Sequence, residues 1–269
     1  MKFIDFFAGI GGFRLGMEMA GHECVGHCEI DKFADRSYRA MHDVKESEWY
    51  ADDITRVKPG ELPEADCYCF GFPCQAFSIA GHRRGFEDTR GTLFFEVMRL
   101  AKERKPRILF AENVKGLLSH EGGQTFGIII SAMDELGYDV EWQVLNSRYY
   151  TGQNRPRIFI IGHLRGVQTK RVFPLLQGSG ATNDVSFQKR PRTDIAPIFT
   201  VSMSESTRRN IASRFYFRDL TPKEYFRLQG FPDEYFERAR AVNSDSQLYK
   251  QAGNSVTVNV IREIARRLT

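Results

Sequence analysis

The sequence predicts an α/β fold in which a doubly wound, mostly parallel sheet is joined to a small irregular region. Over the first 163 residues, short apolar segments of strand length alternate with amphipathic segments of helix length. The first apolar segment runs directly into a glycine-rich turn, and after Arg165 glycine and proline interrupt the chain. In such a sheet we expect ligands to bind beyond the carboxyl ends of the strands.

Length and composition exclude several classes of protein. The 269 residues suffice for one large domain or a core with a small satellite, and 42% hydrophobic residues is ordinary for a globular chain. Collagen-like, mucin-like and wholly disordered chains are therefore excluded. No apolar run approaches the roughly 18 residues that a membrane span needs. Asp5 comes too early for a signal peptide, and five cysteines without framework spacing favour a reducing cytosol.

Positive charge is concentrated in one part of the chain. The formal net charge is +4, but residues 165–218 contain ten Lys or Arg and three acidic residues. A concentrated basic segment favours a polyanionic partner such as nucleic acid. A solvated charged face would give the same count, so charge alone leaves both interpretations open.

Hydrophobic periodicity places the elements of the sheet in order. Apolar segments bounded by turn residues predict strands at 2–6, 23–28, 66–70, 107–111, 138–145 and 157–162. Between them, apolar spacing predicts helices at 12–20, 31–41, 92–104 and 125–136. Leu15 and Met19 lie four apart in the first helix, and Asp31 is a suitable N-cap for the second. Pro106 closes the third helix and Gly137 the fourth.

The later part of the chain has a different organisation. We place a small irregular region at about 166–217, because loop-forming residues recur there. Thr221 as N-cap, Pro222 at the first helical position and Glu224 in a capping box predict a helix over 221–229. A last helix is predicted over 255–268.

The segment FFAGIGG at residues 6–12 is the first candidate site. Backbone N–H groups at such a turn before a helix can approach an anionic group closely. Arg14 stands where a G-x-G-x-x-G pattern has its third glycine, so a pyrophosphate is not favoured and an amino-acid-like cofactor tail fits as well. Glu29 ends the second strand, where an acid can bond both ribose hydroxyls. The pattern indicates a nucleoside cofactor. The alternative, a purely structural glycine turn with Glu29 as a surface acid, stays open.

Cys74 is the candidate nucleophile. It lies in the segment GFPCQAFS at residues 71–78, just past a buried strand. A free thiol of pKa near 8.5 is roughly a few per cent thiolate at neutral pH, which suits nucleophilic attack. The other four cysteines lie in apolar strand patterns, and we expect Cys67 and Cys69 on opposite strand faces. No C-x-x-C knuckle is present, and we predict no metal site.

Three further polar residues flank predicted strands. Glu112 follows the 107–111 strand and can face the same crevice as Cys74, where partial desolvation would raise its pKa. Arg155 and Arg157 lie two apart and share a face in an extended segment. Two guanidinium groups on one face suit a phosphate, or a carbonyl oxygen that develops charge.

Taken in order, these segments resemble the motifs of the C5-cytosine DNA methyltransferase family over nearly the whole chain. FAGIGG at 7–12 resembles the family's cofactor loop, and PCQ at 73–75 resembles its nucleophile motif. ENV at 112–114 and QNRPR at 153–157 resemble its two other active-site motifs. RDLTPKE at 218–224 with QGFP at 229–232 resembles the support of the target-recognition region, and QAGNSV at 251–256 resembles the C-terminal motif beside the cofactor. The resemblance implies a Rossmann-like S-adenosylmethionine-dependent methyltransferase fold and DNA (cytosine-5)-methyltransferase activity.

The resemblance also implies a mechanism. The target cytosine leaves the DNA duplex at a cost of a few kcal/mol. Cys74 attacks C6, Glu112 bonds N3 and the exocyclic amine, and Arg157 bonds O2 while Arg155 braces the pocket. Asn113 belongs to the same motif as Glu112. C5 then takes the methyl group of S-adenosylmethionine, which leaves S-adenosylhomocysteine, and loss of the C5 proton to water with β-elimination frees the enzyme.

Cofactor and DNA contacts follow from the same resemblance. Phe7 would stack near the adenine, Glu29 would bind the ribose, and Asp53 would accept from the adenine amino group. The expected cofactor-binding residues are Phe7, Ala8, Gly9, Gly11, Gly12, Glu29, Ile30, Asp53, Ile54, Pro73, Leu93, Asn254 and Ser255. The expected DNA-binding residues are Gln75, Ser78, His82, Arg83, Arg84, Lys189, Arg190, Arg192, Arg208 and Arg209.

The recognition region departs from the family pattern. We expect residues 1–165 with 250–269 to form the catalytic and cofactor-binding domain, and 166–249 the recognition region with its support. Only 55 residues separate Gly162 from Arg218, fewer than family members usually carry. We therefore expect relaxed specificity or a very short recognition site, and a second specificity subunit or lost activity stays open.

The resemblance also carries expectations about binding partners and leaves two alternative functions. We expect a monomer that acts on duplex DNA in the cytoplasm of a bacterial or phage-infected cell, away from membranes, with a cognate restriction endonuclease left open. One alternative is an RNA C5-cytosine methyltransferase of the same fold, which a longer cysteine-containing motif past Cys74 would favour, and the chain has none. The other is an inactive DNA-binding regulator, against which the presence of Cys74, Glu112, Arg155 and Arg157 argues.

Overall fold

The computed structural model describes residues 1–72, 93–175 and 219–268. Contacts divide the chain into one compact unit of Met1–Leu175 with Pro222–Thr269, and a second of Leu176–Thr221. The fold below is that of the first unit. The functional division at residues 166 and 249 stays a prediction.

Seven strands in the described residues form one sheet. They are β1 (Lys2–Phe6), β2 (Glu23–Cys28), β3 (Trp49–Ala51), β4 (Cys67–Gly71), β5 (Ile108–Val114), β6 (Tyr138–Asn146) and β7 (Pro156–Leu164). Their order across the sheet is β3-β2-β1-β4-β5-β7-β6. The first five are parallel, and β7 runs antiparallel to both of its neighbours. The predicted doubly wound, mostly parallel sheet is confirmed.

Helices cover both faces of the sheet. They are α1 (Gly12–Glu18), α2 (Lys32–Met41), α3 (Leu93–Arg104), α4 (Gln124–Glu135), α5 (Pro222–Leu228), α6 (Asp233–Arg240), α7 (Asp245–Asn254) and α8 (Val258–Ala265). Alternate strand residues enter separate cores, because successive side chains point to opposite faces. Ile4 and Phe70 pack with α3 and α4 on one face, whereas Phe3 and Phe110 pack with α8 on the other.

Two glycines let α1 lie very close to the C-terminal helix. A Cβ on Gly16 would come 2.6 Å from Cβ of Ile261 and 2.9 Å from the carbonyl oxygen of Val258. A Cβ on Gly12 would come 2.7 Å from Oγ of Ser255. Side chains larger than hydrogen therefore cannot occupy these positions unless the backbones move apart. This contact brings the C-terminal motif against the glycine loop.

Most predicted elements are present, with a few differences. Asp31 caps α2 as expected, since its Oδ1 accepts from the backbone N of Phe33 at 2.9 Å. The sequence did not predict β3, α6 and α7. The prediction that Cys67 and Cys69 lie on opposite strand faces is wrong, since their sulfur atoms lie 3.7 Å apart on one face. Residues two apart in a strand share a face because the side-chain period is two.

Candidate active site

A cavity of about 420 Å³ opens at the carboxyl ends of the parallel strands, as the fold class predicts. This strand-end cavity is lined by the turn after β1, the end of β2, the ends of β4 and β5, the segment that begins β7, and the α7–α8 junction. Its volume lies in the range of small-molecule sites, roughly 300–1,000 Å³. The cavity therefore joins segments that are distant in sequence. Its polar wall includes Glu29, Asp31, Glu112, Asn113, Arg155, Arg157, Lys250, Asn254 and Ser255.

The glycine loop forms the first side of the strand-end cavity. Phe7, Gly9 and Gly11 have positive φ values of 56°, 56° and 78°, a conformation that glycine adopts without steric penalty but phenylalanine does not. Ala8 and Gly9 line the cavity, whereas Gly11 faces His42 behind the loop. A strained non-glycine residue such as Phe7 is maintained only when its surroundings fix the conformation.

Glu29 ties the glycine loop to the second strand end. Its Oε2 accepts from the backbone N of Gly9 at 2.7 Å, and its Oε1 accepts from the backbone N of Asp31 at 2.7 Å. Burial raises the pKa of Glu29, and these two hydrogen bonds oppose that shift. Beside it, Asp31 pairs with Lys250 at 2.7 Å, which links α2 to α7 at the wall of the cavity. The carboxylate is thus held in place at the position predicted for ribose binding.

Glu112 and Arg157 form an ion pair on the opposite side of the cavity. Nε of Arg157 lies 3.1 Å from Oε1 of Glu112. Glu112 stands beside Gly71 in the β4–β5 register, and a Cβ on Gly71 would lie 3.3 Å from its Oε2. Burial raises the pKa of Glu112, and the charges of Arg157 and Arg155 oppose the rise. The carboxyl group can therefore hold a proton at higher pH than an exposed glutamate.

Arg155 braces the C-terminal motif. It donates from one guanidinium nitrogen to the carbonyl oxygens of Gly253 at 3.0 Å and Ser255 at 2.8 Å. Burial, with the neighbouring charge of Arg157, lowers the pKa of Arg155 to about 10, so it stays a cation at neutral pH. The two arginines predicted to share a site do so, but their partners differ.

Asn113 fixes the start of the segment that holds Cys74. Its Nδ2 donates to the carbonyl oxygen of Phe72 at 2.9 Å, and its Oδ1 accepts from the backbone N of Val114 at 2.8 Å. Phe72 lines the strand-end cavity. The chain therefore passes this cavity directly before Pro73 and Cys74.

A mostly buried hydrogen-bond chain links the motifs at 153–157 and 229–232 with Thr257, which directly follows the motif at 251–256, and it was not predicted from the sequence. Oγ1 of Thr257 donates to Oε1 of Gln229 at 3.0 Å, and Nε2 of Gln229 donates to Oε1 of Gln153 at 3.3 Å. Oγ of Ser147 lies 2.8 Å from Oγ1 of Thr257 and bonds the carbonyl oxygen of Arg155 at 3.4 Å. No local pattern could reveal these contacts, because Gln229 lies 76 residues from Gln153. We name Ser147, Thr257, Gln229 and Gln153 the polar chain.

The first part of the predicted recognition region, residues 172–175, is also anchored by side chains of β6. Glu141 on β6 accepts from the backbone N of Val172 at 2.6 Å and of Phe173 at 3.1 Å. Gln143 bonds both backbone groups of Leu175 at 2.8 and 2.9 Å. The chain therefore runs along β6 in a fixed register up to Leu175.

Some predicted site residues lie elsewhere. Ile30 is 74% exposed, and Asp53 caps a 3-10 helix by accepting from the backbone N of Thr55 at 3.0 Å. Ile54 and Leu93 are packed in or against the core below β1 and β4. None of these four is in the wall of the strand-end cavity as far as the structure describes it. The remaining predictions lie outside the described residues: Pro73, Cys74, Gln75, Ser78, His82, Arg83, Arg84, Lys189, Arg190, Arg192, Arg208 and Arg209.

The described residues contain neither a metal-ligand cluster nor a membrane-spanning helix. Within 1–72, 93–175 and 219–268, no group of three or more His, Cys, Asp or Glu side chains is arranged to hold a metal ion. In the same ranges no helix has the length and apolar character needed to cross a membrane. Cys24, Cys28, Cys67 and Cys69 are buried free thiols, and burial raises the pKa of Cys24 and Cys28 to about 12.

Comparisons with known proteins cover the whole chain. The family model described as C-5 cytosine-specific DNA methylase matches residues 1–196 and 178–269. Type II methyltransferase M.NlaX of Neisseria lactamica is 37% identical over an alignment of 307 positions, which covers 99% of this chain and 96% of that protein. Type II methyltransferase M.HhaI of Haemophilus parahaemolyticus is 36% identical over an alignment of 312 positions, which covers 98% of this chain and 93% of that protein.

Solved structures show the same fold at lower identity. The Dnmt2 methyltransferase of S. pombe has a TM-score of 0.69 and 16% identity, covering 98% of this chain and 96% of that one. A putative DNA modification methyltransferase encoded within an E. coli prophage has a TM-score of 0.68 and 18% identity, covering 99% and 97%.

Proposed function

The chain belongs to the C-5 cytosine-specific DNA methylase family, and from that premise we propose that its strand-end cavity binds S-adenosylmethionine beside a flipped-out target cytosine. Its activity is the methylation of cytosine at C5 in DNA. One observation supports the proposal most directly: Glu29 with the glycine loop and Glu112 with Arg157 line a single cavity. A cofactor on one side and a base on the other would then lie next to each other.

The cofactor side fits a nucleoside with an amino-acid tail. Phe7, Ala8, Gly9 and Gly12 line the cavity, and Gly12 lies in close contact with Ser255. Glu29 presents a half-buried carboxylate, whose oxygens can bond ribose hydroxyls as well as backbone groups. S-adenosylmethionine, when bound, supplies an electrophilic methyl group on a sulfonium centre. The residues of this chain would hold it in place and exclude water.

Glu112 and Arg157 fit the cytosine side. A carboxyl group that retains its proton can donate to the ring nitrogen N3, and so offset the charge that builds on the ring during attack at C6. Arg157 keeps this carboxyl in place at 3.1 Å and has further N–H groups to offer to a carbonyl oxygen. In this proposal Arg155 is a positioning residue, because its described partners are the carbonyl groups of Gly253 and Ser255.

Cys74 is the proposed nucleophile. It lies outside the described residues, but β4 ends at Gly71, beside Glu112, and Asn113 holds the carbonyl group of Phe72. The thiolate would form a bond to C6, C5 would accept the methyl group, and the C5 proton would leave to water as the C6–sulfur bond breaks.

The comparisons also support a shortened recognition region. The alignments with M.NlaX and M.HhaI span 307 and 312 positions, more than the 269 residues of this chain. The family model matches in two segments that overlap at residues 178–196, within the predicted recognition region. We infer that the chain acts as a monomer on duplex DNA in the cytoplasm, with few residues available to read bases.

A covalent trap tests the proposed function. Duplex DNA with 5-fluorocytosine in place of cytosine cannot lose the C5 substituent, so the enzyme should remain attached to it in the presence of S-adenosylmethionine. We expect a denaturant-stable adduct that maps to Cys74 and is absent in Cys74→Ser. The same trap with 5-fluorocytosine RNA tests the RNA alternative. An adduct on RNA alone, or none on either, would overturn the DNA assignment.

A further inference from the structure

The turn from the glycine loop into α1 depends on hydrogen bonds from outside the loop. If α1 extended one residue further back, the backbone N of Arg14 would bond the carbonyl oxygen of Ile10. In the structure the backbone N of Arg14 instead donates to Oδ2 of Asp5 at 3.3 Å. The Ile10 carbonyl group is turned away from the helix and needs another donor, because buried backbone polar groups are costly to leave unpaired.

His42 provides that donor. It is the first residue after α2, it is buried, and its Nε2 bonds the carbonyl oxygen of Ile10 at 3.1 Å. The edge of its ring also lies directly against Gly11, where an added Cβ would overlap Nε2 and come within 2.8 Å of Cδ2. His42 therefore contacts two consecutive residues of the glycine loop from the side opposite the strand-end cavity.

Two aromatic rings hold His42 in this position. Its ring centroid lies 4.9 Å from that of Tyr38 on α2 and 5.4 Å from that of Tyr235 on α6. Burial lowers the pKa of His42 to about 3, so the ring is neutral at physiological pH. Its Nδ1 has no partner among the described residues, and a carbonyl acceptor at Nε2 requires the proton to be on Nε2.

We propose that His42 is a positioning residue for cofactor binding, which fixes the Ile10–Gly11 peptide and thereby the left-handed loop that faces the cofactor. The inference rests on the proposed function, because it assigns the purpose of the loop. It assigns a role in cofactor binding to a residue that does not line the cavity and lies outside the motifs of the sequence. Without this donor the loop should populate other conformations, and the cofactor would have to select the competent one.

His22 offers a matched control at the other end of α1. It too is buried, and its Nε2 bonds a backbone carbonyl oxygen, that of Ala265, at 3.0 Å. His22 does not contact the glycine loop in the described structure. Replacement of either histidine by phenylalanine keeps a ring and removes the bond to a buried backbone carbonyl oxygen. His22→Phe also removes the contact of Nδ1 with the terminal amine of Met1 at 3.3 Å, so a general loss of stability should be at least as large in this control.

Isothermal titration calorimetry with S-adenosylmethionine tests the inference. We expect His42→Phe to raise the dissociation constant at least threefold, His22→Phe to leave it within twofold, and His42→Gln, whose amide can reach Ile10, to restore it to within twofold. All titrations are run well below the melting temperature of each variant. Should His42→Phe fail to fold, His42→Asn, whose amide is too short, should show the same weakening.

The outcomes separate the inference from the function on which it rests. If His42→Phe or His42→Asn bound S-adenosylmethionine as tightly as the wild type does, the inference would be overturned and the proposed function would stand. Equal weakening in His22→Phe would also overturn it, because the effect would then be a general loss of stability. No binding of S-adenosylmethionine by the wild type would overturn the proposed function and the inference together.

Discussion

Two opposing effects act on the pKa of Glu112, which lies near the end of β5. Burial disfavours its charged form, while Arg157 at 3.1 Å and the charge of Arg155 favour it. The result is a pKa above the ordinary value of 4.5, in a group that stays next to a cation. A carboxyl group of this kind can deliver and recover a proton at higher pH than an exposed glutamate, at some expense of stability.

We predict that Glu112→Gln lowers the methylation rate about 10²–10³-fold while making the fold more stable at neutral pH. The folded protein holds a proton on Glu112 that the unfolded chain releases near pH 4.5. Its stabilising effect is present below that pH and is lost as pH rises through the folded-state pKa. Glutamine loses no proton, so the advantage of the variant in urea unfolding should grow over this window. An advantage that shrinks with rising pH would contradict the raised pKa.

The polar chain joins three elements that carry different parts of the proposed site. Gln229 follows α5, Thr257 precedes α8, and Ser147 and Gln153 belong to the turn between β6 and β7. Gln229 is 1% exposed, so its amide has no access to water as a substitute partner. Because Ser147 also bonds the carbonyl oxygen of Arg155, the chain connects the support of the recognition region to the arginines of the cavity.

We predict that replacing three members of the polar chain together destabilises the protein less than replacing Gln229 alone. Gln229→Met should lower the free energy of unfolding by about 1–3 kcal/mol, since it removes both the acceptor of the Thr257 hydroxyl and the donor to Oε1 of Gln153. The combination Ser147→Ala, Thr257→Val and Gln229→Met should recover most of that loss, because few polar groups then remain unpaired. Chemical denaturation measures both, and additive losses in the triple variant would contradict the argument.

Replacement of glycine by alanine should change the stability of the protein in opposite directions at two helix positions. Gly16→Ala on α1 should destabilise the protein by about 1–3 kcal/mol, because its Cβ would meet Ile261 and the carbonyl group of Val258. Gly127→Ala on α4 should stabilise it by about 0.5–1 kcal/mol, since nothing lies within 4 Å of the added methyl group and alanine favours helix. Thermal unfolding of the two variants gives the comparison. Equal shifts would show that α1 and α8 are free to separate.

At the scale of the whole molecule, the sequence predicted what depends on local pattern. The strands at 2–6 and 23–28 coincide with β1 and β2, because apolar runs bounded by turns mark buried strands clearly. The strand β3 was missed because three residues, Trp49–Ala51, carry too little periodicity. Glu29, Glu112, Arg155 and Arg157 were singled out from the sequence and line one cavity, while their roles stay predictions. His42 and Gln229 were not found, because their contacts join residues far apart in the chain.

The shortened recognition region leads to a prediction about specificity. With 55 residues between Gly162 and Arg218, few side chains remain to read base edges. We expect methylation of a site shorter than four base pairs, or of many related sites. Bisulfite sequencing of random-sequence duplex DNA after incubation with the enzyme measures this directly. A single well-defined site of four or more bases would contradict the prediction.

The fixed register of residues 172–175 along β6 has a consequence for how such enzymes diversify. Glu141 and Gln143 tether the chain where it leaves this unit, and α5 starts its return at Pro222. We therefore expect that a longer recognition segment grafted between Leu175 and Pro222 would leave the described backbone contacts of the sheet unchanged.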